Sequence, residues 1–308
     1  MNGLPDLAPL GPRPAIVLHD AGAANLVIGW LADRLPAGAR VHVAGPAEGL
    51  WRQRFPDAPP VADLPATLAG ATGLLSGTGW ASALEHQARA GWRGAQGRSI
   101  AAVDHWVNYR ERFVRSGETV LPDEIWVGDS HAQAIARRDL PTVAVKQFRN
   151  VYLASHVAAV RAARARMARP ERPHLLYALE PIRLPWRSSD PRPGEFQALD
   201  YLFAALDRIG LGDGCGLALR PHPSDPEGKY DAWLAAAGPR AWLDATKPLA
   251  EAIAGAVAVA GCESFVLVIA EAAGVRTIST LPPWGHRLRL PQPGIERLAA
   301  LLGDDVTP

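Results

Sequence analysis

The stretch VAVAGCESFVLVIAEAAGVRTIS, residues 257–279, decides the fold of this 308-residue chain. Its short apolar runs predict buried strands over residues 256–260 and 276–279. Between these strands, a turn of small residues leads into an apolar helix over residues 263–273. Strand, turn, helix and strand in this order are typical of a βαβ unit in a parallel sheet.

The same alternation extends through the rest of the chain. Further predicted strands are short apolar runs that end at glycine, proline or polar residues, over residues 15–18, 41–44, 73–76, 99–103, 124–127, 142–145, 174–179, 216–219 and 241–243. Predicted helices between them cover residues 82–90, 132–138, 195–209, 229–237, 248–253 and 294–302. The pattern predicts an α/β protein with doubly wound parallel sheets that carry helices on both faces.

The length and the order of these elements predict two domains, because one domain typically takes about 150 residues. The N-terminal domain is expected over residues 1–152 and the C-terminal domain over residues 173–308. A basic helix over residues 153–172, which ends in the break Arg169-Pro-Glu-Arg-Pro173, is expected to link them. Ligands of open parallel sheets bind beyond the carboxyl ends of the strands, so functional residues are sought there.

The composition excludes several classes of protein. Lys and Arg total 32 and Asp and Glu total 31, and the net charge of +1 argues against a nucleic-acid partner. Cys215 and Cys262 lack zinc-type spacing and are too few for a disulfide framework, which suits a reducing compartment. No secretory signal is expected, because residues 1–14 lack a basic region followed by an apolar region. No transmembrane helix is expected, because the most apolar stretch, residues 250–273, contains three glutamates. The sequence therefore predicts a cytoplasmic protein.

Two loops at predicted strand ends in the first domain are rich in small residues. In His19-Asp-Ala-Gly-Ala-Ala-Asn25, Asp20 is a candidate general base, while Gly22 and Asn25 would contact an acceptor. The alternative is that Asp20 or Asn25 only caps the following helix. In Ser76-Gly-Thr-Gly-Trp80, Thr78 and Trp80 would line an acceptor pocket, or the glycines only provide the dihedral angles of a tight turn.

A third loop, Asp104-His-Trp-Val-Asn-Tyr-Arg-Glu-Arg112, concentrates polar and aromatic groups after a buried strand. Asp104 is a second candidate base, and Trp106 would stack on a sugar ring. His105 and Arg112 would bind the acceptor by hydrogen bonds. The alternative is an internal polar network that orders the loop.

Two loops in the second domain carry groups that suit a phosphate. Two prolines in Arg220-Pro-His-Pro223 fix the backbone around His222, which can bind a phosphate or protonate it as it leaves. In Gly261-Cys-Glu-Ser-Phe265, backbone N–H groups and the Ser264 hydroxyl would seat a phosphate, and Glu263 or Glu271 would bind sugar hydroxyls. The alternatives are a satisfied histidine in a proline turn and a serine that caps a helix.

These features together resemble the GT-B glycosyltransferase fold, which has two Rossmann-like domains with a cleft between them. Residues 257–279 look like its donor-binding segment, in which a strand, a Gly/Ser turn and a helix hold the nucleotide sugar. Arg220-Pro-His-Pro223 is similar to the His-Pro motif of bacterial sialyl-, polysialyl- and Kdo-transferases, which use CMP-activated sugars. The resemblance implies that His222 and Ser264 contact the donor phosphate.

The resemblance implies a metal-independent glycosyltransferase of polysaccharide biosynthesis, with a nucleotide-sugar co-substrate, no cofactor, and a surface-glycan or glycoprotein acceptor. The catalytic candidates are Asp20, Asp104 and His222; the donor-binding candidates are Arg220, His222, Glu263, Ser264 and Glu271; the acceptor-binding candidates are Gly22, Asn25, Thr78, Trp80, His105, Trp106 and Arg112. The basic helix could approach the inner face of an anionic membrane, or could simply present a solvated face.

Two other functions fit the same fold. One is a UDP-sugar 2-epimerase or a nucleotide-sugar hydrolase, which needs no separate acceptor. The other is a non-catalytic subunit that binds a nucleotide or a sugar. Fold by itself does not decide between them.

Overall fold

The computed structural model describes residues 3–60, 63–168, 172–212, 214–246 and 248–304. The chain divides into two compact units, Met1–Tyr152 and Leu153–Pro308. Residues 169–171 of the predicted domain break lie outside the described residues.

The first unit is built on a six-stranded parallel sheet. Its strands are β1 (Pro14–Leu18), β2 (Arg40–Val43), β3 (Gly73–Ser76), β4 (Ser99–Val103), the hairpin strands β5 (Val114–Arg115) and β6 (Glu118–Thr119), β7 (Glu124–Val127) and β8 (Ala144–Gln147). Its helices are α1 (Ala21–Leu31), α2 (Pro46–Arg54), α3 (Leu64–Leu68), α4 (Leu84–Trp92) and α5 (Ser130–Asp139). The sheet order is β2-β1-β3-β4-β7-β8, and β5 and β6 pair separately.

Both faces of the central strands β1, β3 and β4 are buried, which explains why these strands are mostly apolar rather than alternating. Ile16 and Leu18 of β1 face one core, which includes Trp30 of α1 and Trp51 of α2. Their neighbours on β1, Ala15 and Val17, point to the other face and pack in a second core with Ala88 and Trp92 of α4.

The second unit has a six-stranded parallel sheet of its own. Its strands are β9 (His174–Ala178), β10 (Gly216–Arg220), β11 (Ala241–Leu243), β12 (Ala258–Gly261), β13 (Arg276–Ser279) and β14 (Ile295–Arg297). Its helices are α6 (Val151–Arg166), which begins in the last residues of the first unit, α7 (Gly194–Ala205), α8 (Asp231–Ala237), α9 (Leu249–Gly255), α10 (Phe265–Ala272) and α11 (Leu298–Leu302). The sheet order is β11-β10-β9-β12-β13-β14.

The two sheet orders fix where each unit can bind a ligand. The direction of strand order reverses between β1 and β3 in the first unit and between β9 and β12 in the second. A doubly wound sheet opens a crevice at such a reversal, beyond the carboxyl ends of the strands. The predicted α/β class with two Rossmann-like, doubly wound units is confirmed.

The structure differs from the sequence prediction at the end of the chain. The predicted helix over residues 294–302 is wrong in its first half, because Ile295–Arg297 forms the edge strand β14 and pairs with β13. Only Leu298–Leu302 is helical. An edge strand of this length is too short to show a period-2 pattern in the sequence.

The basic helix α6 packs on the second unit. Arg161 donates to the carbonyl of Ala272 at 2.8 Å, and Arg164 donates to the carbonyl of Gly274 at 3.3 Å. These carbonyls lie at the carboxyl end of α10, where cations are favoured by the helix dipole. Within the described ranges, no helix is both long enough and apolar enough to span a membrane.

Candidate functional site

Asp20 lies at the carboxyl end of β1, directly before α1. Its Oδ1 accepts a hydrogen bond from His19 Nδ1 at 2.8 Å, and its Oδ2 accepts one from the Trp80 amide at 2.9 Å. Asp20 occupies the cap position of α1, but its side chain makes no capping bond. Because the carboxylate accepts from Nδ1, the neutral His19 ring keeps Nε2 as its hydrogen-bond acceptor.

A buried glutamate, Glu85 of α4, ties the loops after β1 and β3 together. Its Oε1 accepts from the His19 amide at 3.0 Å, and its Oε2 accepts from the Gly79 amide. Burial raises the pKa of Glu85, although these two amides favour the ionised form. Sequence reasoning did not assign Glu85 a role, because one of its partners, the His19 amide, lies 66 residues away in the chain.

Glycines let the three predicted loops of this unit approach each other closely. A Cβ atom at Gly22 would lie 1.8 Å from Asp104 Oδ2, and one at Gly79 would lie 1.9 Å from Asp20 Oδ2. Neither glycine has a positive φ, so close approach explains them better than the dihedral angles of a tight turn. Asp20 and Asp104 therefore both lie around the first turn of α1.

Arg112 and Thr78 form an internal polar network. Arg112 Nη1 lies 3.3 Å from Asp104 Oδ1 and donates to the Thr78 carbonyl at 3.2 Å, and its Nε donates to the Val107 carbonyl at 3.0 Å. The Thr78 hydroxyl donates to the Ala102 carbonyl at 3.1 Å. Both side chains are buried. The geometry favours the alternative in which these two residues order the loops.

Of the two tryptophans predicted to bind the acceptor, one is exposed and the other is buried. Trp80 is 47% exposed, and the Arg115 guanidinium lies 5.2 Å from its ring centroid. Trp106 is only 5% exposed, and its Nε1 donates to both carboxylate oxygens of Asp129. The His105 ring lies beside Trp106 at an interplanar angle of 59°, with centroids 5.3 Å apart. Trp80, rather than Trp106, can offer a face to a ligand.

Asn25 lies farther along α1 than Gly22 and is half-buried.

Sequence reasoning missed Arg115, which also donates from Nη2 to the Gly79 carbonyl at 2.6 Å. Arg115 belongs to the β5–β6 hairpin, whose short strands have no recognisable period in the sequence.

In the second unit, the loop after β10 holds His222 in one orientation. The His222 amide donates to Asp225 Oδ2 at 3.1 Å. The Ser224 amide donates to His222 Nδ1 at 3.2 Å, and the Ser224 hydroxyl lies 2.8 Å from the same atom. Because Nδ1 accepts an amide N–H, the neutral ring carries its proton on Nε2. His222 therefore offers an N–H donor on its outer edge.

Arg220, the last residue of β10, is engaged by its own unit. Its Nη1 donates to Asp244 Oδ2 at 2.7 Å and to the Thr246 carbonyl at 2.7 Å. These bonds fix the guanidinium beside the His222 loop and neutralise part of its charge.

Asp225 anchors this loop, and sequence reasoning missed it. Its buried carboxylate accepts from Arg183 at 2.8 Å, from Lys229 at 2.8 Å and from the Tyr230 hydroxyl at 3.0 Å. Burial would raise the pKa of Asp225, but these bonds outweigh it and lower the pKa to about 2. The available signal was the Asp225–Lys229 spacing of four residues, directly after the His-Pro motif.

Glu180 occupies the place where the sequence suggested a phosphate. Its Oε1 accepts from the amides of Cys262 at 2.7 Å and Glu263 at 2.9 Å, and its Oε2 accepts from the Glu263 amide at 3.0 Å. Burial raises the pKa of Glu180 to about 7 despite these bonds. The backbone N–H groups before α10 thus hold a carboxylate of the protein itself.

The other candidates of this loop have separate partners. The Ser264 hydroxyl accepts from the Val266 amide at 3.2 Å and caps α10, as the structural alternative expected. Glu263 binds His286 Nε2 at 2.9 Å and the Arg289 amide at 2.6 Å. Burial disfavours its charge, but the bonds from Arg289 and His286 prevail and lower the pKa of Glu263. Glu271 lies near the carboxyl end of α10, about 10 Å from Ser264 along the helix axis.

Among the described residues, no group of three or more His, Cys, Asp or Glu side chains is arranged to hold a metal ion.

Comparison with known proteins gives a fold but no family. No family model matches the chain, and no curated protein matches it. The UDP-GlcNAc 2-epimerase from Methanocaldococcus jannaschii aligns with a TM-score of 0.55 and 8% identity, over 87% of this chain and 83% of that one. The glycotransferase of kitacinnamycin aligns with a TM-score of 0.52 and 14% identity, over 96% and 91%. At these identities the likeness shows that the chain has a GT-B-like fold.

Proposed function

We propose that this chain is a metal-independent glycosyltransferase that moves a sugar from a nucleotide-activated donor to a surface-glycan or glycoprotein acceptor in the cytoplasm. The observation that carries this proposal is the placement of the polar clusters. In the first unit, His19 and Asp20 follow β1 at the reversal of strand order; in the second unit, Glu180 follows β9 at the reversal, and His222 follows the neighbouring strand β10. Such sheets bind ligands at this edge. The second unit binds the donor, and the first unit provides the acceptor base.

On the donor side, His222 binds a phosphate oxygen through Nε2–H. The Ser224 amide and Asp225 support this orientation. The His-Pro resemblance favours a CMP-linked nonulosonic acid or Kdo as the donor. As the bond between the sugar and the phosphate breaks, the electron pair stays with the phosphate, and the N–H donor of His222 stabilises the growing charge.

On the acceptor side, Asp20 acts through His19. The Asp20 carboxylate holds the Nδ1–H of His19, so that Nε2 can take the proton of the attacking acceptor hydroxyl. Asp104, whose Oδ1 lies beside Arg112, positions the loops around α1. The exposed ring of Trp80 provides an aromatic face for a sugar.

Two arginines of α6, Arg161 and Arg164, donate to carbonyls of the same unit, and we assign these two side chains a structural role.

Product analysis tests the proposal most fully. The protein is incubated with CMP- and UDP-sugars, with and without acceptor glycans. Asp20→Asn should reduce transfer about 100-fold with nucleotide affinity unchanged, because the base is impaired and the donor site is intact. Asp57→Asn, which changes an exposed aspartate of the same unit, is the matched control. Equal transfer rates in wild type and Asp20→Asn would contradict the base assignment.

A 2-epimerase is the second candidate function, because the epimerase from Methanocaldococcus jannaschii has a similar fold. Turnover of a UDP-sugar without any acceptor would favour it over transfer. Nucleotide binding without turnover across the whole panel would favour a non-catalytic binding subunit.

A further inference from the structure

Glu180 lies at the centre of the ligand-binding edge of the second unit. Strand β9 runs between β10 and β12, and Glu180 is the second residue after β9. The His222 loop follows β10 on one side, and the turn before α10 follows β12 on the other. The carboxylate of Glu180 therefore has the His222 loop on one side and the start of α10 on the other.

The Glu180 carboxylate accepts hydrogen bonds from the same backbone amides that a phosphate would need before α10. Its Oε1 accepts from the amides of Cys262 and Glu263, and its Oε2 accepts from the Glu263 amide. These N–H groups lie just before the start of α10, where the helix dipole favours a negative charge. The ionisable groups that face Glu180 are Glu263, the Cys262 thiol and the Tyr177 hydroxyl. Burial raises the pKa of the Cys262 thiol and of the Tyr177 hydroxyl, so both are neutral, whereas the pKa of Glu263 is lowered and this group is charged. A further anion would therefore meet the like charge of Glu263 and of ionised Glu180.

We propose that Glu180 competes with the phosphate of the ligand for the backbone amides before α10. This inference rests on the proposed function, in which the ligand is a nucleotide sugar. A phosphate reaches the amides of Cys262 and Glu263 only after the Glu180 side chain has moved away. While Glu180 occupies the amides before α10, a phosphate binds at this edge of the sheet through the His222 loop. Glu180 therefore limits the affinity that additional phosphate groups of the ligand can add.

Two substitutions separate the charge of Glu180 from its volume. Glu180→Gln keeps the shape and removes the charge, and Glu180→Ala empties the position in front of the amides. Glu251→Gln removes a carboxylate from α9 of the same unit and is the matched control. Circular dichroism and thermal melting establish that each variant is folded.

Calorimetric titration with pyrophosphate, UDP and uridine at pH 8 tests the competition. Both Glu180 variants should bind pyrophosphate and UDP at least about tenfold more tightly than wild type, since a like charge has been removed at hydrogen-bonding distance. Uridine, which has no phosphate, should bind equally to all proteins. Glu251→Gln should behave as wild type.

The outcomes distinguish this inference from the proposed function. A gain for pyrophosphate without any binding of UDP would support the competition and contradict the nucleotide-sugar function. Unchanged or weaker binding of both phosphate ligands in the folded variants would overturn the competition. Equal gains for uridine would also overturn it, because the effect would then not depend on phosphate.

Discussion

At the scale of single residues, Glu180 and Glu263 show how neighbours set the charge of one residue type. Burial raises the pKa of Glu180 to about 7, and its amide bonds do not compensate. Burial acts on Glu263 in the same direction, but the bonds from Arg289 and His286 prevail and lower its pKa. At neutral pH, Glu263 is therefore charged, while Glu180 is divided between its two forms.

The raised pKa of Glu180 predicts a pH-dependent stability. Its value is 4.5 in the unfolded chain and about 7 in the folded protein, so the folded protein binds the proton more tightly. The contribution to stability is fully present below pH 4.5 and is lost as the pH rises to about 7. The loss amounts to at most about 3 kcal/mol.

Urea denaturation at several pH values measures this effect. The free energy of unfolding of wild type, relative to Glu180→Gln, should fall between pH 5 and pH 7.5. Parallel pH profiles for the two proteins would show that Glu180 does not titrate in this range.

At the scale of elements, the loop after β10 is fixed by one buried side chain. Asp225 accepts from the His222 amide at one oxygen and from Arg183 and Lys229 at the other. Glu195 of α7 shares both cations with Asp225. The loop therefore owes its shape to a charged cluster that joins it to α7, as well as to its prolines.

Asp225→Asn should weaken this cluster. The amide keeps the size of the side chain but leaves Arg183 and Lys229 with one carboxylate fewer, and we expect a loss of about 2 kcal/mol in unfolding free energy. Hydrogen exchange at residues 222–225 should become faster. Asp231→Asn, at the start of α8, is the control. A stability within about 0.5 kcal/mol of wild type would contradict the anchoring role.

At the scale of the whole molecule, the sequence was sufficient for the fold class but not for the partners within each site. Buried parallel strands are continuous apolar runs, so most strands could be located. The strand order at the sheet edges could not be predicted from the sequence. Strand β14 and the β5–β6 hairpin could not be located either, because these strands are too short to show a periodic hydrophobic pattern. Glu180 was not recognised because the Cys262 amide that it binds is 82 residues away in the chain.

The same distinction applies to the candidate site residues: their place in the chain could be predicted, but their partners could not. Those that lie directly at strand ends, such as Asp20 and His222, could be selected from the sequence because topology places strand ends together. Whether a side chain faces the ligand or the protein depends on packing. Trp106 and Trp80 illustrate this, since one is buried against Asp129 and the other is exposed.

Nucleotide binding at the His222 loop is the central claim, and thermal melting in the presence of CMP, CDP, UDP and GDP tests it most directly. A ligand that binds only the folded state raises the melting midpoint. We expect at least one nucleotide to raise the midpoint of wild type, and we expect His222→Ala to lose that shift. His174→Ala, at the opposite end of the neighbouring strand β9, should keep it. No shift with any nucleotide, or an undiminished shift in folded His222→Ala, would contradict the account.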